Sequence, residues 1–332
     1  MPRDNRCTLG VAFGPESKLY SFPDGHPMNR TRTRLFEESL RRAAAVRDGG
    51  IRVIAPKRSR DEDLVLFHTQ RYVDFVKEAS KAGEGYLDFP DTPAFPGVYE
   101  ASLYSVGSTL YGMEAISDGS FDHFFNPVGG LHHAARDRAS GFCVFNDAAI
   151  AVAKALKTGF DRVAYVDIDA HHGDGVYYGF ESDPRVIIAD IHEDGRTLFP
   201  GTGAEGERGK GEAVGSKLNI PLRAGSGDRE FFEAFERVRR FIEESRPQFI
   251  LFQCGADGLR GDPLSHLRYS AAAHALASER LHELAHDLCD GHIMALGGGG
   301  YSADNVDAAW SAVVAELSGA VRGKAYHSRQ TR

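Results

Sequence analysis

The chain has 332 residues, 42% of them hydrophobic, and its 39 Lys and Arg residues against 47 Asp and Glu give a formal net charge of −8. This acidic balance argues against nucleic-acid binding through a broad basic surface, and the apolar content suffices for a sizeable core. No apolar run approaches the ~18 residues of a membrane span and no export signal is evident, so we expect a cytoplasmic protein without a membrane partner.

Short apolar runs predict β-strands at 7–13, 51–56, 123–128, 162–169, 185–191, 249–255 and 292–299. They are mostly apolar throughout rather than alternating, which is typical of strands buried on both faces of a parallel sheet. Helical patterns lie between them, for example at 33–50, 145–160, 228–247 and 270–291. This alternation predicts an α/β fold, with an open, mainly parallel β-sheet and helices on both faces.

No linker or composition break divides the chain, and we expect residues 1–332 to form a single domain. The four cysteines stand singly in apolar stretches and form no CxxC pair. Buried thiols in a reducing compartment are therefore expected, rather than disulfides or a cysteine zinc site.

Polar segments follow five of the predicted strands: GGLHHA, DIDAHHGD, HEDGRTLFPGTG, GADGLRGDP and GGGGY. Because the carboxyl ends of parallel strands share one edge of the sheet, we expect these segments to meet there. Asp169 and His171 are spaced so that a carboxylate and an imidazole can reach one ion, and Asp257 is the best third ligand. Such N and O donors suit a catalytic Zn²⁺ site, which we favour over simple loop capping.

The tandem histidines His132 and His133 suit proton transfer beside a metal, if each has a partner on its far nitrogen. Asp167 and Asp174 are the spare carboxylates that could pair with them. Tyr301 follows four glycines, and its phenol could donate to a carbonyl oxygen as negative charge develops. Each of these residues, taken alone, would be interpreted as structural.

Two aromatic residues of these loops, Phe142 and Phe199, could be facing walls of a narrow apolar channel or could simply pack within their loops. His172 is interpreted as a structural residue beneath its loop. For His192 both roles stay open, with the structural one favoured.

Together these motifs identify a family that the chain resembles, the zinc-dependent histone deacetylases with the arginase–deacetylase fold. It looks most like bacterial class II-like, acetoin-utilisation-type members, which are related to acetylpolyamine amidohydrolases. The matching segments cover roughly residues 20–305 in the family's order: HPMNRTR (26–32), DTPAFPGVYE (91–100), GGLHHA (129–134), GFCVFND (141–147), VDIDAHHGDGV (166–176), FPGTG (199–203), GADGLRGDPL (255–264) and GGGGY (297–301).

The resemblance implies one Zn²⁺ per chain at the three expected ligands, two His–Asp pairs and a transition-state tyrosine at the positions named above. It also implies that Gly141, Phe142 and Phe199 line an acyl-lysine tunnel and that Asp91 holds the substrate backbone at its rim. By the same resemblance Arg32 lines an internal channel, and His26 matches a motif but is interpreted as structural.

The family also carries structural K⁺, bound partly by backbone carbonyls of the 167–171 loop. Asp190 stands where many relatives have Ser, so this chain departs from the family's pattern at that cation.

The expected reaction is zinc-dependent hydrolysis of an N-acetyl-lysine amide in a protein or peptide. The first alternative is an acetylpolyamine amidohydrolase, which tends to have an acidic residue at the tunnel mouth. The matching position here is Leu264, although Glu16 and Asp24 in loop 15–30 could compensate.

Two further alternatives carry less weight. Arginase-like binuclear manganese chemistry would need an aspartate where His172 stands. A non-catalytic reader of acylated lysine would be expected to have lost Tyr301 or His133, and both are present. The oligomeric state is open.

Overall fold

The structure is a computed structural model of the chain, and it describes residues 7–23, 25–46 and 50–319. Its centre is an eight-stranded sheet in which every neighbouring pair of strands is parallel. The strands of this sheet are β1 (Leu9–Ala12), β2 (Ile51–Ile54), β5 (His123–Asn126), β6 (Val163–Asp167), β7 (Val186–Glu193), β8 (Lys217–Leu222), β9 (Phe249–Gln253) and β10 (Ile293–Leu296). Two short strands, β3 (Tyr86–Asp88) and β4 (Thr92–Pro93), form a separate antiparallel pair.

The strand order is β2-β1-β5-β10-β9-β6-β7-β8. The connections include nine α-helices within the described residues. These are α1 (Arg34–Val46), α2 (Asp61–Leu64), α3 (Gln70–Ala82), α4 (Val98–Ser117), α5 (Asp147–Lys157), α6 (Asp174–Phe180), α7 (Asp228–Ser245), α8 (Ala271–Leu288) and α9 (Ala303–Leu317). The predicted α/β class with a mainly parallel sheet is therefore confirmed.

Helices cover both faces of the sheet, and each face has its own apolar core. Phe124 of β5 packs in a core that includes α3, α4 and α5, whereas its neighbour Phe125 packs in a core that includes α1, α7, α8 and α9. Successive side chains of a strand point to opposite faces. Central strands such as β6 and β9 are buried at every position for this reason, which explains their continuous apolar runs.

The structure corrects the sequence prediction at one side of the sheet. Strand β7 continues to Glu193, so His192 lies within the strand rather than in the following loop. Strand β8, with the sequence KLNIPL, was not predicted because it is not an apolar run. It is the last strand of the sheet, where Pro221 needs no ladder partner for a missing N–H.

All four cysteines are buried and have free thiols, as predicted. In the described part of the chain, the helices all fall short of the length and apolar character that crossing a bilayer requires.

Candidate active site at the carboxyl ends of the strands

Three side chains with metal-binding atoms meet at the carboxyl ends of β6 and β9. The Nδ1 atom of His171 lies 3.1 Å from Oδ1 of Asp169 and 3.0 Å from Oδ2 of Asp257. One donor atom from each of the three lies within 4.8 Å of the others, and all three residues are buried. Two carboxylates and one imidazole form a donor set that fits a catalytic Zn²⁺ ion, which takes three protein ligands.

The electrostatics of these three residues favour a bound cation. Burial and the charge of Asp169 raise the pKa of Asp257 to about 7. Burial alone would lower the pKa of His171, but its contacts with Asp169 and Asp257 raise that pKa well above its usual value. Two buried carboxylates on one imidazole leave negative charge away from water, and a divalent cation would compensate it.

The carboxylates of Asp169 and Asp257 also accept hydrogen bonds from groups outside the three candidate ligands. Oδ2 of Asp169 accepts hydrogen bonds from Nε2 of Gln253 and from the backbone N–H of Gly299, both at 2.8 Å. Oδ1 of Asp257 accepts from the N–H of Ala170 at 2.8 Å. Such outer contacts fix the orientation of metal ligands. Sequence reasoning did not identify Gln253, although a polar residue that ends the apolar run FILFQ was an available signal.

The tandem histidines lie next to this group, and each has a carboxylate partner. Nδ1 of His132 is 2.8 Å from Oδ2 of Asp167, and Nδ1 of His133 is 2.7 Å from Oδ1 of Asp174. The two Nε2 atoms face each other at 3.0 Å, and that of His132 lies 3.9 Å from Oδ1 of Asp169. The structure thus brings together the two His–Asp pairs and the three candidate ligands.

The two histidines have opposite protonation preferences. Burial alone would lower the pKa of His132, but the charges of Asp167 and Asp169 outweigh it and raise the pKa to about 10. Burial and the neighbouring charge of His132 lower the pKa of His133 to about 4. At neutral pH the site therefore holds a charged imidazole beside a neutral one that can accept a proton.

A further hydroxyl group donates a hydrogen bond to the carboxylate of the His132–Asp167 pair. The phenol of Tyr165 donates to Oδ2 of Asp167 at 2.6 Å, the same oxygen that contacts His132. Sequence reasoning missed this residue, although its spacing of two from Asp167 on strand β6 places both on one face of the sheet.

Tyr301 follows strand β10 and a run of four glycines. Its backbone N–H donates to Oδ2 of Asp262 at 2.7 Å, and its ring packs edge-on against Phe142 with 5.8 Å between centroids. Burial and the charge of Asp257 raise the pKa of the Tyr301 phenol well above its usual value, so it keeps its proton as a donor.

Arg32 is buried, and its guanidinium donates hydrogen bonds to the glycine run 297–300. Its Nε donates to the carbonyl of Gly300 at 2.7 Å and its Nη2 to the carbonyl of Gly298 at 2.6 Å. It also lines a small pocket together with Met28 and Leu131. The predicted role of Arg32 as a residue that lines an internal channel stays a prediction.

Two of the predicted rim residues, Gly141 and Phe199, lie against His133. Gly141 has a φ of +52°, and a Cβ at this position would lie 2.6 Å from Cδ2 of His133 and 2.9 Å from Cε1 of Phe199. A side chain there would therefore be both strained and obstructed. The ring of Phe199 is 43% exposed and lies edge-on to His133, with 5.0 Å between centroids.

Asp91 is tied to the same rim through its neighbours. Its carboxylate accepts from the hydroxyl of Thr92, and that hydroxyl accepts from the backbone N–H of Phe142. The backbone carbonyl of Asp91 lies 2.9 Å from Nε2 of His26, whose ring packs against Phe142. His26 thus supports the rim, in line with its structural interpretation.

The backbone N–H of Leu264 donates to Oδ1 of Asp262, whose Oδ2 accepts from the backbone N–H of Tyr301. Leu264 therefore lies near the loop of Tyr301. Glu16 belongs to a short 3₁₀ helix, Pro15–Lys18, and its carboxylate lies near Gly14. Asp24 falls outside the described residues, so its compensating role stays a prediction.

Two further histidines have structural contacts. Nδ1 of His172 lies 2.8 Å from the hydroxyl of Thr202, and both ring nitrogens of His192 have partners, Asp190 at 2.6 Å and the carbonyl of Gly203 at 2.9 Å. The other carboxylate oxygen of Asp190 accepts from the N–H of Gly173. Asp190 therefore acts as an ion-pair partner here, and the potassium site stays a prediction.

Comparison with known proteins assigns the family. The model of the histone deacetylase domain matches residues 26–317. The chain is 40% identical over 319 residues to the acetoin utilization protein AcuC of Bacillus subtilis, covering 92% of this chain and 81% of that protein. It is 34% identical over 299 residues to a probable deacetylase of Archaeoglobus fulgidus, covering 89% and 82%.

A solved structure, that of the HDA15 HD domain, superposes with a TM-score of 0.84 at 29% identity and covers 93% of this chain and 88% of its own. Sequence and fold agree over nearly the same residues. The chain therefore belongs to the histone deacetylase family.

Proposed function

We propose that this chain is a zinc-dependent amidohydrolase that cleaves the amide of N-acetyl-lysine, releasing acetate and the free amine. The observation that carries the proposal is the contact between two groups of residues. The donor set of Asp169, His171 and Asp257 lies directly beside the two His–Asp pairs, with Nε2 of His132 3.9 Å from Oδ1 of Asp169.

The side chains have complementary roles in this reaction. A Zn²⁺ ion bound by the three ligands would supply Lewis acidity for the carbonyl and lower the pKa of the attacking water. His133 accepts a proton from that water and gives it to the amine nitrogen when the C–N bond breaks. His132, held charged by Asp167, stabilises negative charge that develops on the carbonyl oxygen, and the phenol of Tyr301 donates a hydrogen bond to it.

The rim supports an acylated lysine as the substrate. Phe142 and Phe199 offer aromatic surface to an aliphatic lysine chain, and Gly141 avoids the clash that a side chain would make with His133 and Phe199. Asp91 would accept hydrogen bonds from the substrate backbone. Leu264 supplies no charge for the second amine of a polyamine, which favours acyl-lysine. We further propose that residues 1–332 act as one deacetylase domain.

Turnover on a panel of acetyl-lysine peptides and acetylputrescine, with and without chelator, tests this function. We expect the peptides to be cleaved faster, activity to be lost with chelator, and Zn²⁺ to restore it. Faster cleavage of acetylputrescine would instead assign the polyamine reaction. Zinc-loaded protein that binds acetyl-lysine peptide without cleaving it would be a non-catalytic reader, and the proposal would be wrong.

A further inference from the structure

A second group of metal-binding side chains lies at the opposite edge of the sheet, at the amino ends of β1 and β5. Cys7 precedes β1, His123 is the first residue of β5, and His282 and His286 are one turn apart on α8. We refer to these four residues as the Cys–His cluster. Among the described residues, it and the candidate active site are the two groups whose donor atoms all lie within 4.8 Å of one another.

Four of the six donor–donor distances within the Cys–His cluster are close to those of a tetrahedral site. Sγ of Cys7 lies 3.5 Å from Nε2 of His282 and 3.5 Å from Nε2 of His286. Nε2 of His123 lies 2.9 Å from that of His282 and 3.2 Å from that of His286. Tetrahedral zinc, with Zn–N of about 2.05 Å and Zn–S of about 2.3 Å, requires N–N edges of about 3.3 Å and S–N edges of about 3.6 Å.

Hydrogen bonds alone satisfy this arrangement poorly. A neutral imidazole nitrogen has either one proton or one lone pair, and Nε2 of His123 faces two other Nε2 atoms. One cation at the centre would use the inward lone pairs of all four residues at once.

The charge balance also suits metal binding. Zn²⁺ with one thiolate and three neutral imidazoles has a net charge of +1. The carboxylate of Asp122, which precedes His123, accepts hydrogen bonds from Thr8, which follows Cys7, and its negative charge would balance that excess.

The backbone holds these ligands in place. The N–H and hydroxyl of Thr8 both donate to Oδ2 of Asp122, and the N–H of His123 donates to the carbonyl of Thr8, which fixes Cys7 next to β5. Gly291 has a φ of +83°, and a Cβ there would lie 3.0 Å from Cε1 of His286. A glycine therefore gives the ring of His286 its space.

We propose that Cys7, His123, His282 and His286 bind a structural Zn²⁺ ion. Four protein ligands leave no open position, and a buried set of three imidazoles and one thiolate favours zinc over the hard cations Mg²⁺ and Ca²⁺. The ion would link the residue before β1 and helix α8 to the first residue of β5. It lies at the other end of the strands from the candidate active site and does not depend on the function proposed there.

Metal analysis of the full chain separates the two sites. We expect two zinc ions per chain in the wild type, one in Cys7→Ser or His286→Ala, and one in Asp257→Asn, which loses an active-site ligand instead. Cys289→Ser is the matched control, because this buried thiol only donates to the carbonyl of Pro247, and it should keep both ions. A single zinc that Asp257→Asn removes and Cys7→Ser retains would overturn the proposal.

Cobalt substitution provides a direct measurement that needs no change in the Cys–His cluster. The candidate active site has no sulfur ligand, so a near-ultraviolet thiolate-to-cobalt charge-transfer band can arise only where a cysteine binds the ion. We expect this band in Co²⁺-loaded Asp257→Asn and in Cys289→Ser, but not in Cys7→Ser. Its absence from Asp257→Asn would show that Cys7 binds no metal. A chelator should also lower the thermal midpoint of Asp257→Asn by roughly 5 °C or more, and no shift would contradict a structural role.

Discussion

At the scale of single residues, the site shows how neighbours give identical side chains different properties. His132 and His133 are adjacent in the chain and both pair with a carboxylate, yet the pKa of one is raised to about 10 and that of the other lowered to about 4. The difference arises because His132 faces Asp167 and Asp169, whereas His133 faces the charge of His132. A base and an electrostatic stabiliser can therefore be built from the same residue type.

Tyr301→Phe tests the proposed hydrogen bond to the carbonyl oxygen. Loss of one such donor should lower turnover by roughly 10²-fold. Steady-state kinetics on an acetyl-lysine peptide measures the effect. Zinc content is the control and should not change, because the hydroxyl is not among the proposed ligands. An unchanged rate in a zinc-loaded variant would rule out this role.

Gln253→Leu tests whether the hydrogen bond from Gln253 orients the proposed metal ligand Asp169. The change removes the donor to Asp169 and leaves the backbone N–H of Gly255 without its acceptor, Oε1 of Gln253. We expect zinc affinity to fall by roughly 10- to 100-fold and the free energy of unfolding by about 1–3 kcal/mol. Chelator competition and urea denaturation measure the two effects. Gln248→Leu removes an exposed glutamine and should keep the zinc affinity; equal losses in both variants would contradict the idea.

At the scale of elements, the glycine run 297–300 is held by hydrogen bonds from a side chain elsewhere in the chain. Arg32 lies on a short 3₁₀ helix, Arg30–Thr33, and its guanidinium bonds to two carbonyls of the run. It also lies over the rings of Tyr301 and Trp310, at 5.8 and 5.3 Å from their centroids. The position of the Tyr301 phenol thus depends on a residue distant in sequence.

Arg32→Lys should therefore act through Tyr301. A lysine cannot donate to both carbonyls with the same geometry, and we expect kcat to fall by about 10-fold, or about 1.4 kcal/mol. Arg34→Lys, which changes an exposed arginine nearby, should leave kcat unchanged. A double-mutant cycle with Tyr301→Phe decides the mechanism: Arg32→Lys should have little further effect in that background, and fully additive losses would contradict positioning through the tyrosine.

How much of the fold could be predicted depends on where each element lies in the sheet. Strands β6, β9 and β10 are covered on both faces and read as apolar runs, so their positions and the polar segments after them were predictable. Among the described residues, strand β8 has a neighbouring strand on one side only and its sequence is mixed, and no short-range pattern indicated it. The contacts of Gln253 with Asp169 and of Asp262 with Tyr301 join distant segments, and only the folded chain reveals them. The contact of Tyr165 with Asp167 lies within strand β6, where the spacing of two was a local signal.

At the scale of the whole molecule, the two ends of the parallel strands carry different chemistry. The carboxyl ends hold the proposed catalytic residues, as the topology of a parallel sheet favours. The amino ends hold the Cys–His cluster, whose members are separated by up to 279 residues in the chain. Single cysteines in apolar segments predicted only buried thiols, and no prediction concerned the three histidines, because nothing local indicates that strands β1 and β5 bring these residues together with α8.

The whole molecule also contains buried histidines that must stay neutral. Nε2 of His68 accepts a hydrogen bond from the N–H of Asn146 at 2.9 Å, and burial lowers the pKa of His68 to about 4. Burial likewise lowers the pKa of His274 to about 4. The unfolded chain binds protons at these residues below about pH 6.5, whereas the folded chain does not until about pH 4. The contribution of these two histidines to the free energy of unfolding is therefore fully present above pH 6.5 and is lost as the pH falls towards 4.

His68→Gln isolates one part of this acid sensitivity. The glutamine carbonyl can still accept from Asn146, but it does not titrate, so the loss of unfolding free energy between pH 7 and 4.5 should be about 2 kcal/mol smaller than in the wild type. Urea denaturation at the two pH values measures the difference. His266→Gln replaces a histidine whose side chain is 63% exposed and should not reduce the loss in this way. If His68→Gln and the wild type lose equal stability, His68 is not a source of the acid sensitivity, and other buried groups must supply it.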